Sequence, residues 1–215
     1  MPTYSAGELT RKKIINAAGA LIGELGIDNV STRGVAKRSG ENIGSIHYHF
    51  GGKHGLFKAV LREAKNTSLS KDYEDHINAM TEDSSPDEFS SAIRFIVQTE
   101  IKDLFRTNRP TWHSQLIYQV LQRDDELYEI ITTEMTDPNL DAVSRLFKLI
   151  NPAFTDDQAL IHYMVMLMPV FSHATYMKAL CRALDVTAYS ESYLQNLEDV
   201  LVRQTQLILG LPEDR

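Results

Sequence analysis

The 215-residue chain has a single cysteine, Cys181, so a disulfide within the chain is impossible and the thiol is expected to pack in a core, consistent with a reducing compartment. Long apolar runs are also missing. The most apolar stretch, 163–171, falls well short of the roughly 20 residues that a membrane-spanning helix needs. Near the amino terminus the basic residues Arg11, Lys12 and Lys13 precede apolar positions that alternate with Asn16, Gly23 and Glu24, which does not make a signal peptide. A cytoplasmic protein with no membrane partner is expected. Strand-like stretches of useful length, internal repeats and low-complexity segments are absent too, so the fold class is all-α. Familiar catalytic signatures are lacking: there is no Gly-rich nucleotide loop, no His-Glu-x-x-His run and no nucleophile elbow. His47, His49 and His54 form the densest histidine group, but residues two apart on a helix point about 200° apart, whereas a helical metal pair wants a spacing of three or four. No catalytic residue, metal ligand or cofactor is assigned, and the chain is not expected to be an enzyme.

Positive charge is also short overall, with a formal net charge of −7. The average hides an asymmetry. Residues 1–65 hold ten Lys/Arg against five Asp/Glu, whereas the remaining 150 hold 12 against 24. A basic head on an acidic body fits a nucleic-acid-reading segment joined to one that does not touch nucleic acid.

What is present centres on 31–56. Ser31 and Thr32 are good starts for a short helix that turns Val35 and Ala36 inward and Lys37 and Arg38 outward. Gly40, free to take a positive φ, stops it. Asn42 caps a second helix in which Ile46 and Phe50, four apart, anchor one face while Ser45, His47 and Tyr48 occupy the other. Two short helices around a tight glycine turn read as a helix-turn-helix, whose second helix enters the major groove of double-stranded DNA. After it, Gly51 and Gly52 allow backbone approach to a phosphate at the start of a helix, and Lys53 adds a charge there.

Thr32, Arg33, Val35, Ala36, Ser39 and Gly40, then Tyr48-His49-Phe50, then Lys53, Leu56 and Phe57 resemble the DNA-binding domain of TetR/AcrR-type transcriptional regulators. The runs Gly-Glu-Asn-Ile-Gly and Tyr-His-Phe-Gly-Gly-Lys look most like the CecR-like subgroup, with His47 standing where many relatives have Tyr. The resemblance implies a helix-turn-helix DNA-binding domain over 1–58 and a helical effector-binding and dimerisation domain over 59–215. It further implies a repressor that binds an inverted-repeat operator as a homodimer and answers to an unknown small-molecule effector. The DNA-contacting set is then Thr32, Arg33, Asn42, Ile43, Gly44, Ser45, His47, Tyr48, His49 and Lys53. An architectural DNA-binding dimer without an effector is the competing reading.

The rest of the chain reads as helices. Residues 1–7 form an arm. Ile14, Ala17, Ala18, Leu21, Ile22 and Leu25 recur at helical spacing over 8–25, and Gly26 ends that helix. A fourth helix from Lys53 is expected to continue past Ala64 toward Met80, and helical patterns follow over 87–105, 111–122 and 124–150, the last interrupted near Asp137-Pro138. A long helix over 155–184, kinked at Pro169, and a final one over 190–209, closed by Gly210, complete the chain. In the long helix, Leu160, Met164, Leu167, Phe171 and Ala174 form one apolar stripe, and Met166, Val170 and Met177 another. One stripe is assigned to a partner subunit, together with Leu194, Leu197, Leu201 and Ile208 of the last helix. By the family resemblance the middle helices enclose a pocket. Phe105, Trp112, Tyr118, Met164, Met168 and Phe171 are its candidate apolar lining, with His113 and His173 the candidate polar groups.

Overall fold

The computed structural model describes residues 6–107 and 109–213, and every regular element among them is helical. In order these are α1 (Ala6–Leu25), α2 (Thr32–Ser39), α3 (Ile43–Phe50), α4 (Lys53–Asn66), α5 (Ser70–Asn78) and α6 (Pro86–Ile101). Then follow α7 (Trp112–Val120), α8 (Glu126–Ile131), α9 (Asp137–Ile150), α10 (Asp156–Thr175), α11 (Met177–Ala183) and α12 (Glu191–Leu209). Two widened, π-helical turns occur at Lys102–Arg106 and Thr132–Thr136. Residues 1–5 of the expected arm lie outside the described residues, while Ala6 and Gly7 already belong to α1. No described helix is long and apolar enough to cross a membrane.

The chain forms two compact units, each discontinuous in sequence. The first takes in the chain up to Ser68 together with Arg109–Met135, and the second takes in the rest. Compactness therefore groups 59–68 and 109–135 with the head, a different partition from a functional boundary placed after residue 58.

In the first unit, Ile14, Ala18 and Ile22 of α1 share one apolar cluster with Val35 of α2, Ile46 of α3, and Leu56 and Val60 of α4. Trp112, Leu116 and Val120 of α7 and Leu127 and Ile131 of α8 join the same cluster. α1 carries glycine where α7 crosses it: a Cβ on Gly19 would stand 2.3 Å from Trp112 Cδ2, and one on Gly23 would stand 2.5 Å from Gln115 Oε1. A glycine inside a helix costs about 1 kcal/mol relative to alanine, and burial of an indole at about 25 cal/mol per Å² more than offsets it. Gln119 completes the join. Its Oε1 accepts the Ile27 N–H at 2.8 Å and its Nε2 donates to the Ile22 carbonyl at 3.4 Å, satisfying backbone groups where α1 ends.

The expected continuation of α4 toward Met80 does not occur. Thr67 turns its hydroxyl back onto the Glu63 and Ala64 carbonyls at 2.9 and 3.1 Å, and Arg109 Nη2 donates to the Ala64 carbonyl at 3.0 Å. The acceptor that the next helical turn would use is taken by side chains, so the chain breaks and restarts as α5.

In the second unit, Tyr73 and Ile77 of α5, Ile93 and Ile96 of α6, Leu146 and Phe147 of α9, Leu167 and Val170 of α10 and Leu201 of α12 make the core. Reciprocal caps start α6 (Ser85 with Glu88) and α10 (Thr155 with Gln158). The interruption expected near Pro138 is a π turn over Thr132–Thr136 that runs directly into the first turn of α9, where Pro138 stands and lacks the N–H that a regular helix would use. The long helix expected over 155–184 is two, divided at Tyr176, with Pro169 inside the first. Of the α12 residues assigned to a partner, Leu194 and Leu201 instead face the unit's own core and Leu197 packs against it, whereas Ile208 is exposed together with Val200 and Leu207.

Candidate nucleic-acid interface

Both ends of α3 are fixed by local chemistry. Asn42 has extended backbone and its Oδ1 accepts the Ser45 N–H at 2.8 Å, which sets where the helix begins. Just upstream, Ser31 Oγ accepts the Gly34 N–H at 3.1 Å to start α2, and Gly40 ends that helix at φ 73°, in the left-handed region. Gly51 closes α3 in the same way at φ 72°. Between these caps Ile46 is fully buried and Phe50 half-buried, the anchoring pair that the four-residue spacing predicts.

The opposite side of α3 is open. Ile43, Gly44, His47 and Tyr48 are exposed, and Tyr48 is 85% exposed, a large ring that its own unit leaves in water. Ser45 is half-buried and its hydroxyl donates to Asn42 Oδ1 at 3.3 Å, so Ser45 and Asn42 serve the cap. His49 is half-buried and meets Tyr48 edge-on at 4.9 Å between ring centroids, a contact that braces the exposed phenol. The structure thus divides the expected contact residues into an outward set of Ile43, Gly44, His47 and Tyr48 and a supporting set of Asn42, Ser45 and His49.

Cationic groups flank this face. Lys53 is exposed at the first position of α4, with its Nζ 5.2 Å from the Phe57 ring centroid, and Gly52 ahead of it, at φ 123°, supplies no side-chain cap. The first N–H groups of α4 thus have no side-chain cap and stand beside an ammonium group, the combination that attracts phosphate. Arg33 is exposed in α2, and Thr32 beside it is half-buried. Lys37, one turn after Arg33 and also exposed, is a cation that motif matching did not single out; its signal is the i,i+4 spacing from Arg33. Other bases are committed inside the unit: Arg38 pairs with Glu24 at 2.7 Å, Lys13 with Glu41 at 3.6 Å, and the Arg11 guanidinium lies 5.5 Å from the Phe50 ring centroid. Farther along α4, Glu126 pairs with Lys58 and, at 2.6 Å, with His54, and these partners hold its carboxyl below its ordinary range.

A capped helix pair with a glycine turn and one open polar-aromatic face is the geometry of a groove reader. Residues 14–60 match the model of bacterial regulatory proteins of the tetR family. The chain carries a TetR-family amino-terminal domain. Within it, 56 residues are 43% identical to the HTH-type transcriptional dual regulator CecR of Shigella flexneri, covering 26% of this chain and 25% of that protein. A 63-residue stretch is 32% identical to the HTH-type transcriptional regulator BetI of Vibrio campbellii, covering 29% and 32%. The chain therefore matches a third or less of the length of these curated relatives. A solved structure titled as a TetR-family transcriptional regulator, from Mesorhizobium loti, covers 95% of this chain and 98% of its own, with a TM-score of 0.60 at 16% identity. That likeness extends the TetR-type fold, though not its function, to the helical carboxy-terminal part.

The residues expected to line an effector pocket fall in both units of the chain. Trp112, His113 and Tyr118 belong to the first. There Trp112 is core against Gly19, and His113 is buried with its Nδ1 3.0 Å from Thr67 Oγ1 and 3.2 Å from Arg109 Nε. Burial, reinforced by the Arg109 charge, pushes the His113 imidazole down to about 4. Phe105, Met164, Met168, Phe171 and His173 belong to the second unit, where Met164 is exposed and the others half-buried. Here the structure does bring two of them together around residues that no motif singled out. Phe105 and His173 lie 5.7 and 5.9 Å from the Tyr189 ring, Tyr189 stacks on Tyr193 at 4.7 Å, and the Tyr193 hydroxyl meets His173 Nε2 at 3.1 Å. His173 Nδ1 donates to the Pro169 carbonyl at 2.7 Å, which leaves Nε2 as the acceptor in the neutral ring.

Proposed function

We propose that the chain is a sequence-specific transcription regulator that reads DNA with α3 and acts as a homodimer responsive to a small molecule. One observation carries the reading: Tyr48 and His47 stand exposed on a helix capped at both ends, so groups able to meet base edges are presented on a rigid element. Lys53, Arg33 and Thr32, with the first N–H groups of α4, serve the phosphates and set register, while Ile43, Gly44, His47 and Tyr48 face the groove. The names of the relatives matched by residues in this segment, both HTH-type transcriptional regulators, support the same role.

Dimerisation is supported by apolar surface that the second unit leaves uncovered: Leu160, Ile161, Met164 and Val165 on α10, and Val200, Leu207 and Ile208 on α12. A twofold pair of readers matches two half-sites separated by roughly 34–36 Å. An effector bound in the second unit acts by favouring one of two dimer states.

The deciding experiment is selection of bound sequences from random duplex DNA by the purified protein. Enrichment of an inverted repeat is expected. Binding at moderate salt with no enriched motif would reject sequence-specific regulation in favour of architectural DNA binding.

A further inference from the structure

The second unit contains a cleft of about 240 Å³ with Leu69 and Phe95 as its apolar wall, Gln98, Lys102 and Arg106 as its donors, and Asp72 as its acid. The π turn Lys102–Arg106 turns both cations toward this one space. Arg106 is held from behind. Its Nη1 lies 3.4 Å from Oε2 of Glu198, a side chain only 1% exposed, whose other oxygen accepts from Gln98 at 2.7 Å and Gln195 at 3.2 Å and pairs with Arg94 at 3.3 Å. The remaining edge of the guanidinium, formed by Nε and Nη2, is poorly used. Nε is buried with no hydrogen-bond partner, and Nη2 lies 2.6 Å from Glu191 Oε1 without an aligned hydrogen bond. That edge is the one that takes a carboxylate through two parallel hydrogen bonds. Its present neighbour Glu191 is 71% exposed and gives up an ion pair of little worth on leaving.

We propose that this cleft binds a short-chain monocarboxylate. The ligand carboxylate takes the Nε/Nη2 edge of Arg106 in place of Glu191, Lys102 adds a second charge, and Leu69 and Phe95 cover the hydrocarbon. A cleft of this size suits a short hydrocarbon chain rather than a long one. Asp72 disfavours a second negative charge, which sets monocarboxylates above dicarboxylates. The proposal names the effector chemistry of the second unit and so rests on the effector-responsive reading, but its assay contains no DNA, so loss of operator recognition and loss of ligand binding are separate results.

The test is calorimetric titration of the full chain with butanoate and hexanoate, their primary amides, succinate and inorganic phosphate. Binding of the monocarboxylates is expected, with the amides, succinate and phosphate at least about tenfold weaker. Lys102→Ala should weaken carboxylate binding several-fold, and Glu191→Gln should tighten it by removing the competing carboxylate; both positions are exposed, so both variants keep the fold. Arg106→Lys, checked for native circular dichroism, should lose most of the affinity because a lysine has no two-donor edge. Amides or phosphate binding as tightly as carboxylates, no carboxylate binding up to about 10 mM, or unchanged affinity in both Lys102→Ala and Glu191→Gln would overturn the assignment.

Discussion

The Trp112 indole occupies the space that a Cβ on Gly19 would need, leaving only 2.3 Å to Cδ2. Through this contact α7, distant in sequence, becomes part of the core beneath the reading helix. The side of the contact that can yield is an aromatic ring already enclosed by the rest of the cluster.

Gly19→Ala is therefore expected to destabilise the protein, although alanine is the better helix former. Overpacking of this kind costs about 1–3 kcal/mol, and for a chain of this size each kcal/mol lowers Tm by roughly 2–4 °C. Gly7→Ala, whose new Cβ would sit an ordinary 3.8 Å from His49 Cε1, is the control and should leave Tm nearly unchanged. Thermal denaturation followed by circular dichroism separates the two.

Lys53 and His47 are expected to fail in different ways. Lys53→Ala should weaken binding to all duplexes alike and flatten the dependence of log K on log salt by about one phosphate contact. His47→Ala should change the ranking among operator variants. Fluorescence anisotropy at several salt concentrations measures both, and an equal loss on every variant would remove His47 from base reading.

His113 makes stability depend on acid. Its folded value of about 4 lies below the 6.5 of an ordinary histidine, so below about pH 6.5 the unfolded chain binds a proton that the native state refuses. The contribution is fully present above pH 6.5, is lost as pH falls toward 4, and amounts to on the order of 2 kcal/mol after allowance for solvent screening. Urea midpoints compared between pH 7.5 and pH 4.5 should show this loss, and His113→Gln should reduce it.

Val200 and Leu207 are exposed on the α12 face that the proposed dimer covers. Val200→Asp with Leu207→Asp should give a folded monomer by light scattering and lower operator affinity by at least about tenfold, since each half-site then binds alone. A double variant that remains dimeric would move the interface elsewhere.

Local grammar made the reading head legible in advance. Ser31, Gly40, Asn42 and Gly51 act within a few residues of themselves, so their positions alone predicted where α2 and α3 start and stop. The same holds for Gly210 after α12. Patterns that depend on partners were less readable. Periodicity continued across Thr67 and Tyr176, but α4 stops where Thr67 and Arg109 take the Ala64 carbonyl, and α10 stops at Tyr176. On α12, apolar residues occupy several sides, and periodicity could not say that Leu194 and Leu201 belong to the unit's own core while Val200 and Leu207 do not.

By itself the sequence determined the all-helical class, the helix-turn-helix, its caps and the basic head, because these follow from propensities and charges expressed over a single turn or helix. Tertiary structure alone decided that 109–135 packs with the head, that Trp112 and His113 are core groups there, and that Arg106, beside a cleft, keeps Nε without a hydrogen-bond partner. Each of these outcomes depends on groups 40 or more residues apart competing for the same space or the same hydrogen bond, and no local pattern records which of them wins.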